Sequence, residues 1–168
     1  MKTLMLLRHG KSSWNDPFLD DFDRPLKKRG RKAAARMGIE IRDRGILPDL
    51  VLSSAARRAW ETWKRFQKAS GYEGAIEKKK KLYFTSPEDH VELLSRIEDS
   101  RERVLLIGHN PDLEEVLERL TGQSSALPTA SLAVIDLEIP SWADIEHATG
   151  ALRLLLRPKD LADAPSEG

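Results

Sequence analysis

The sequence Thr-Leu-Met-Leu-Leu-Arg-His-Gly at residues 3–10 joins a short apolar run to an abrupt polar stop. The apolar part, Thr3–Leu7, has the length of a buried strand and is far shorter than the roughly 20 residues of a membrane helix. The polar residues that end it begin with Arg8 and His9, and a loop rich in Asp and Pro then extends to about Pro25. We therefore predict a buried strand whose carboxyl end carries an arginine and a histidine.

Two similar apolar runs follow, at 50–52 and 104–107, and the second is followed by Gly-His-Asn-Pro at 108–111. Short apolar strands that alternate with helices indicate an α/β protein with a mostly parallel sheet covered on both faces. The last two strands are expected to form an antiparallel edge. Helices are predicted at about 26–44, 55–69 (after a Ser53-Ser54 cap), 87–97 (after a Ser86 cap) and 112–120 (closed by Gly122), and further strands at 131–137 and 151–156.

The composition is that of an ordinary globular protein. Its 168 residues, 40% apolar and 33% charged, favour one domain over 1–161, with 162–168 as a disordered tail. The net charge of +1 gives no reason to expect nucleic-acid or membrane binding. The chain has no cysteine, which excludes disulfides and thiol catalysis, and its first apolar run is too short for a secretion signal. We expect a cytoplasmic monomer.

Basic side chains and histidines gather where the predicted strands end. His9 and His109 each follow a buried strand, and Arg58 lies in the first turn of the helix after the strand at 50–52. Ligands of such sheets bind outside the carboxyl ends of the strands, so these groups, with Arg8 and Arg24, are expected to converge on one crevice. Arginine forks match phosphate oxygens, and a neutral imidazole can attack phosphorus. The sequence thus predicts a phosphate site in which one histidine attacks and the other donates a hydrogen bond.

Three sequence blocks resemble those of the histidine phosphatase superfamily. They are Leu-Leu-Arg-His-Gly at 6–10, Leu-Ser-Ser at 52–54 followed by Arg58 and Thr62, and Gly-His-Asn-Pro at 108–111. The resemblance extends to about residue 161 and implies a three-layer α/β/α sandwich of the phosphoglycerate mutase-like fold. Features similar to the SixA-type phosphohistidine phosphatases are Asp-Arg-Pro-Leu at 23–26, Arg-Gly at 29–30 and Lys-Ser-Ser-Trp at 11–14.

The resemblance assigns roles to individual residues. It implies that His9 accepts the phosphoryl group. Many family members carry a carboxylate that protonates the leaving group, and Glu88, or its neighbour Asp89, lies in the corresponding region. SixA-type members lack a clear acid, and Glu88 suits equally well the first turn of a helix, where acids are favoured. The implied phosphoryl ligands are Arg8, Arg24, Arg58 and His109, and Ser12 and Asn110 are further candidate phosphate- or substrate-binding residues.

The implied reaction is phosphate hydrolysis that uses neither metal nor cofactor. Phosphohistidine on a protein is the implied substrate, with small phosphate monoesters as an alternative. A second alternative is a pseudophosphatase that binds phosphoproteins without turnover. A third is a metallohydrolase, although the sequence has no His-Glu-x-x-His motif. A mutase is disfavoured because the short chain leaves little for a lid that excludes water.

Several residues admit plainer interpretations. Arg24 is suited to pairing with the acidic loop at 20–23, and Arg57 is the neighbour that competes with Arg58 for the phosphate role. The lysine run Lys78–Lys81 is interpreted as a solvated face, the alternative being a patch for an acidic partner or nucleic acid. Trp14 fits either the substrate entrance or packing. We expect His90 on the surface.

Overall fold

Six strands of one sheet, four α-helices and four short 3-10 helices lie within residues 1–161, the part of the chain that the computed structural model describes. The tail predicted at 162–168 lies outside the described residues. Within 1–161, no helix combines the length and apolar character needed to cross a bilayer. The strands are β1 (Lys2–Arg8), β2 (Leu50–Ser54), β3 (Ala75–Lys79), β4 (Arg103–Gly108), β5 (Leu132–Leu137) and β6 (Gly150–Leu156), and the helices are α1 (Lys28–Asp43), α2 (Arg57–Ser70), α3 (Pro87–Ser95) and α4 (Asp112–Thr121).

The sheet has the strand order β3-β2-β4-β1-β5-β6. The first four of these strands run parallel to one another, whereas β5 is antiparallel to β1 and β6 is antiparallel to β5. The predicted parallel sheet with an antiparallel C-terminal edge is therefore confirmed. As a consequence, the carboxyl ends of β1, β2, β3 and β4 meet at one edge.

Two hydrophobic layers cover the faces of the sheet, because alternate side chains of each strand point to opposite sides. Leu4 and Leu6 of β1 pack with residues of α3 and α4, whereas Met5 and Leu7 pack with residues of α1 and α2. The result is the three-layer α/β/α sandwich that the sequence analysis predicts.

The ends of the helices agree with the predicted signals in two cases and differ in a third. The Ser86 hydroxyl accepts a hydrogen bond from the Asp89 amide at 3.1 Å, and Gly122 ends α4 in the left-handed conformation at φ 73°. The Ser53-Ser54 cap is wrong, because α2 begins later, after Ala56, with no side-chain cap. The Ser54 hydroxyl instead accepts from the Ala56 amide in the preceding turn.

Strand β3 is absent from the sequence prediction, and it contains the start of the lysine run. Its residues are partly exposed because it lies at the sheet edge, with β2 as its partner. Lysines on an edge strand discourage pairing with other chains. The Lys78 ammonium lies 4.2 Å from the centroid of the Trp60 ring, a cation–π arrangement.

The surface assignment of His90 is wrong. His90 is fully buried in α3, beside core residues Val91 and Leu94, and its Nδ1 lies 2.7 Å from the carbonyl oxygen of Ser86. An early helical position next to acids reads as exposed in the sequence, but here the helix turns that face inward.

Candidate active site

A cavity of about 380 Å³ lies at the sheet edge where β1 and β4 end. Its size falls in the range of about 300–1,000 Å³ typical of small-molecule sites. Every site residue predicted from the sequence except Glu88 lines it. The lining residues are Arg8, His9, Lys11, Ser12, Trp14, Asp21, Arg24, Arg58, Phe84, His109, Asn110 and Thr129.

The main chain of His9 is fixed by its neighbours in the sheet. Its amide donates to the Gly108 carbonyl at 3.1 Å, and its carbonyl accepts from the Ala130 amide at 2.9 Å. The ring is 7% exposed, and its Nδ1 lies 2.7 Å from the carbonyl oxygen of Gly10. Because a carbonyl can only accept, Nδ1 must carry the hydrogen, which leaves a lone pair on Nε2.

The electrostatic surroundings keep His9 neutral. Burial is the largest effect, and together with the positive charges of Arg58, Arg8 and Arg24 it lowers the pKa of His9 to about 3, against the raising effect of the Gly10 carbonyl. A neutral ring with a free lone pair is the form in which histidine acts as a nucleophile.

Thr62 explains why an arginine stands four residues before a threonine in the second block. Its hydroxyl donates to the Arg58 carbonyl at 2.7 Å, one helical turn back, and accepts from the Gly10 amide at 2.9 Å. The threonine is fully buried. It therefore ties the turn after His9 to the helix that carries Arg58.

His109 lies beside His9, with 5.1 Å between the ring centroids. Its Nε2 is 2.7 Å from the Ser54 hydroxyl, and its Nδ1 has no hydrogen-bond partner among residues 1–161. The Ser54 hydroxyl accepts from the Ala56 amide and still has its own hydrogen to donate; in the tautomer of His109 with hydrogen on Nδ1, that hydrogen goes to Nε2. Burial, and then the neighbouring His9 and Arg58, lower the pKa of His109 to about 2, so it offers a neutral donor.

Arg24 and Arg58 are both buried and both bind Asp21. The Arg58 guanidinium donates to the Asp21 carbonyl at 2.7 Å and to its carboxylate at 3.0 Å. Arg24 donates to the other carboxylate oxygen at 2.8 Å, to the Ser13 carbonyl at 3.1 Å, and to the Ser12 hydroxyl. The plainer interpretation of Arg24, pairing with the acidic loop, is thus seen in a residue that also lines the cavity.

Arg8 reaches the cavity from the end of β1. Its Nη1 donates to the Leu127 carbonyl at 3.0 Å, and its buried Nε has no partner in the described part of the chain. Burial lowers its pKa, but a guanidinium stays protonated in proteins. Arg8 therefore adds a fixed positive charge beside His9.

Asn110 lines the cavity, but its amide is engaged elsewhere. The side-chain nitrogen donates to the Glu114 carboxylate and to the Leu127 carbonyl, both at 2.9 Å, and the side-chain oxygen accepts from the Glu114 amide at 3.3 Å. Both hydrogens of the Asn110 side-chain amide are therefore used in holding the surrounding loop, and neither is free to bind substrate.

Glu88, the candidate proton donor of the sequence analysis, is not among the residues that line the cavity. It is an exposed residue in the first turn of α3, and its carboxylate is 3.5 Å from the Arg119 guanidinium. Its neighbour Asp89 is also exposed and does not line the cavity. The plainer interpretation of Glu88, charge at a helix start, describes what the structure shows.

The carboxylate that does line the cavity belongs to Asp21. Burial raises the pKa of Asp21, but hydrogen bonds from Tyr83 and Arg24 and the charge of Arg58 outweigh it and bring the pKa down to about 2. The Tyr83 hydroxyl donates to it at 2.5 Å. Asp21 is therefore ionised at neutral pH. Sequence reasoning includes Asp21 only as part of the acidic loop beside Arg24, and it misses Tyr83, which stands 62 residues from Asp21 with no local pattern to link the two.

The two neighbouring arginines at the start of α2 differ in their exposure to solvent. Arg58 is 2% exposed and lines the cavity, whereas Arg57 is exposed and its side chain lies 3.6 Å from the carboxylate of Glu61. The spacing to Thr62 therefore selects the arginine that reaches the site.

The chain resembles known proteins along most of its described length. A sequence model of the histidine phosphatase superfamily (branch 1) matches residues 4–83. An uncharacterised chloroplastic protein of Arabidopsis thaliana is 34% identical over 158 residues, which cover 89% of this chain and 72% of the relative.

Solved structures share the fold. A candidate phosphohistidine phosphatase SixA from Agrobacterium tumefaciens superposes with a TM-score of 0.81 at 31% identity, covering 94% of this chain and 98% of that one. A protein histidine phosphatase SixA complexed with tungstate superposes with a TM-score of 0.78 at 21% identity, covering 95% and 99%, and shows likeness of fold.

Proposed function

The chain belongs to the SixA-type branch of the histidine phosphatase superfamily, and from this premise we propose that it hydrolyses phosphohistidine on proteins through a covalent intermediate at His9. One observation carries the proposal. The neutral His9 ring has its Nδ1 tied to the main chain and shares a cavity with three arginines and a second histidine.

The proposed chemistry has two steps, each a displacement at phosphorus. First, the Nε2 lone pair of His9 attacks, the new N–P bond forms, and the bond from phosphorus to the substrate's imidazole nitrogen breaks with the electron pair leaving on that nitrogen. Water then attacks the phosphoryl group on His9, and the N–P bond breaks with its electron pair returning to Nε2. Of the two protons of that water, one stays on the released hydrogen phosphate and the other balances the proton taken up by the departed imidazole nitrogen. Arg8, Arg24 and Arg58 hold the phosphoryl oxygens, and the Nδ1–H of His109 donates to the developing charge.

The proton inventory of the cavity favours a phosphoramidate substrate. An alkoxide leaving group needs a strong proton donor, whereas the imidazole of phosphohistidine can leave with less acid help. Glu88 does not line the cavity, and Asp21 is held ionised by its partners. A site with arginines and a nucleophile, but without a protonated carboxyl, suits a P–N bond better than an alkyl P–O bond.

Four further properties of the protein stay predictions. We keep metal independence, a cytoplasmic location, a monomeric state and the absence of nucleic-acid and membrane partners as predictions. For residues 1–161, no group of three or more His, Cys, Asp or Glu is arranged to hold a metal ion, so the metallohydrolase alternative has no ligand set there.

Turnover assays test the proposed function. The wild-type protein should release phosphate from a phosphohistidine-bearing protein and from an aryl phosphate, with activity unchanged by a chelator. The His9→Ala variant should lose several orders of magnitude in turnover rate. The His147→Ala variant, which removes an exposed histidine, should match the wild type. Saturable binding without phosphate release would favour the pseudophosphatase, and chelator-sensitive activity restored by metal would favour the metallohydrolase.

A further inference from the structure

We propose that Trp14 and Phe84 form an aromatic rim that selects substrates with a planar aromatic leaving group, which deepens the proposed function and rests on it. Both side chains line the cavity and both are unusually exposed for their size, at 72% for Trp14 and 52% for Phe84. Exposed aromatic groups at the mouth of a charged pocket are suited to a ligand that carries a ring.

Phe84 is held in place although its ring is open to solvent. Its ring centroid lies 4.7 Å from that of Tyr83 and 5.2 Å from that of His109. The same Tyr83 donates to Asp21, which in turn binds Arg24 and Arg58. Phe84 therefore packs directly on Tyr83 and His109, two side chains of the group that would hold the phosphoryl oxygens.

The backbone of Phe84 points to the same conclusion. Its φ of 44° lies in the left-handed region, which a bulky side chain rarely adopts and glycine adopts freely. Such strain persists where the surroundings over-determine the conformation, and it clusters at ligand-binding sites. A glycine would suit this turn with less strain, so the exposed phenyl ring calls for a reason beyond the fold.

Trp14 stands on another wall of the cavity. The guanidinium carbon of Arg24 lies 3.3 Å from the centroid of its ring, so one face of the indole is covered. The side chain nevertheless keeps 72% of its surface exposed. Trp14 therefore presents a flat apolar surface next to an arginine that lines the phosphate site.

The reaction geometry gives the rim its role. In an in-line displacement the leaving group lies opposite the nucleophile. His9 is a buried residue of the cavity lining, whereas Trp14 and Phe84 are exposed residues of it. The leaving group must therefore lie toward the mouth, where Trp14 and Phe84 are. An imidazole or phenyl ring can stack there, whereas an amine or an alkyl group cannot.

Two substrates that both contain a P–N bond separate this selectivity from general activity. Phosphoimidazole carries a planar ring and phosphoramidate carries none. For Phe84→Ala, the ratio of kcat/KM for phosphoimidazole to that for phosphoramidate should fall about tenfold, the effect of losing one stacked ring. Phe84→Tyr should restore the ratio, and Trp14→Ala should lower it. Phe18→Ala, which removes an aromatic side chain that is 94% exposed and does not line the cavity, should leave it unchanged.

The outcomes distinguish the two proposals. If the wild type releases phosphate neither from these two substrates nor from a phosphohistidine-bearing protein, the proposed function fails. If the wild type turns over both and Phe84→Ala lowers both rates equally, or if Phe18→Ala has the same effect as Phe84→Ala, the rim is not a specificity element and the proposed function stands.

Discussion

At the scale of a single residue, the reactivity assigned to His9 comes from burial among positive charges. Burial and nearby positive charges both disfavour the protonated, cationic form of imidazole, so the ring stays uncharged. The Gly10 carbonyl decides which nitrogen carries the hydrogen. One short peptide motif thus fixes both the position and the tautomer of the proposed nucleophile.

The depressed pKa of His9 is directly measurable. In the free protein, the ring of His9 should stay neutral from pH 8 down to about pH 5, because burial and the arginines bring its pKa to about 3. Histidine ring signals in NMR spectra, assigned by comparison with His9→Asn, report this titration. A His9 midpoint near the ordinary histidine value of about 6.5 would contradict the assigned environment.

The two arginines at the start of α2 offer a matched pair. Arg58→Ala should lower kcat by about 10³-fold or more, since one arginine placed on a transferring phosphoryl group contributes on that order. Arg57→Ala should remain close to the wild type, because Arg57 is exposed and outside the cavity. Steady-state kinetics on one aryl phosphate measures both, and the reverse ranking would show that the second block has been aligned one residue out.

At the scale of elements, the start of α1 packs unusually closely against the turn that follows β1. A Cβ added to Gly10 would lie 2.6 Å from the carbonyl oxygen of Gly30, and one added to Gly30 would clash with the carbonyl oxygen of Lys11. Only glycine lets the two backbones approach this closely. This contact explains why an Arg-Gly pair near a helix start accompanies the His9 motif.

The sign of one stability change tests that contact. Within a helix, Gly→Ala ordinarily stabilises by about 1 kcal/mol. Gly30→Ala should instead destabilise by about 1–3 kcal/mol, as overpacking does, and should lower kcat because the turn after His9 must shift. Denaturant unfolding and steady-state kinetics measure the two effects, with the exposed neighbour Arg29→Ala as control. A stabilised Gly30→Ala protein with full activity would rule out the close approach.

The sequence predicts elements well where they are buried and poorly where they are not. Strands β1, β2 and β4 are short apolar runs, so their existence and their shared edge follow from the pattern. Strand β3 contains two lysines and a glutamate, and it forms because it pairs with β2. The local sequence does not indicate that pairing. His90 was misplaced for a similar reason, because the orientation of a short helix depends on what it packs against.

The candidate site divides in the same way. His9, His109 and Arg58 are predictable because each adjoins a strand end or follows one closely. The contacts that complete the site join distant segments, such as the bond from Tyr83 to Asp21 and the bond from Ser54 to His109. Such pairs leave no local pattern in the sequence, whereas Glu88, an acid at a helix start, has one.

At the scale of the whole molecule, burying two neutral histidines links stability to pH. Unfolded histidine has a pKa of about 6.5, whereas the folded values for His9 and His109 are about 3 and about 2. Between pH 6.5 and about 3, the unfolded state binds protons that the native state does not, so stability falls as the pH falls. The slope reaches at most about 1.4 kcal/mol per pH unit for each histidine.

Urea unfolding at several pH values checks this linkage. The free energy of unfolding of the wild type should decrease between about pH 6.5 and pH 4.5, above the range in which Asp21, with its pKa of about 2, titrates. His9→Asn should show a shallower decrease because one of the two buried rings is gone. Equal decreases in the two proteins would mean that His9 is protonated alike in the folded and unfolded states.

Trapping of the phosphorylated enzyme tests the central claim most directly. The protein is mixed with a phosphohistidine substrate, quenched in base within milliseconds, digested and analysed by mass spectrometry. The account predicts one phosphoryl group on the peptide that contains His9, and none on that peptide in His9→Ala. Turnover with a phosphoryl group on His109, or with none on His9, would contradict it.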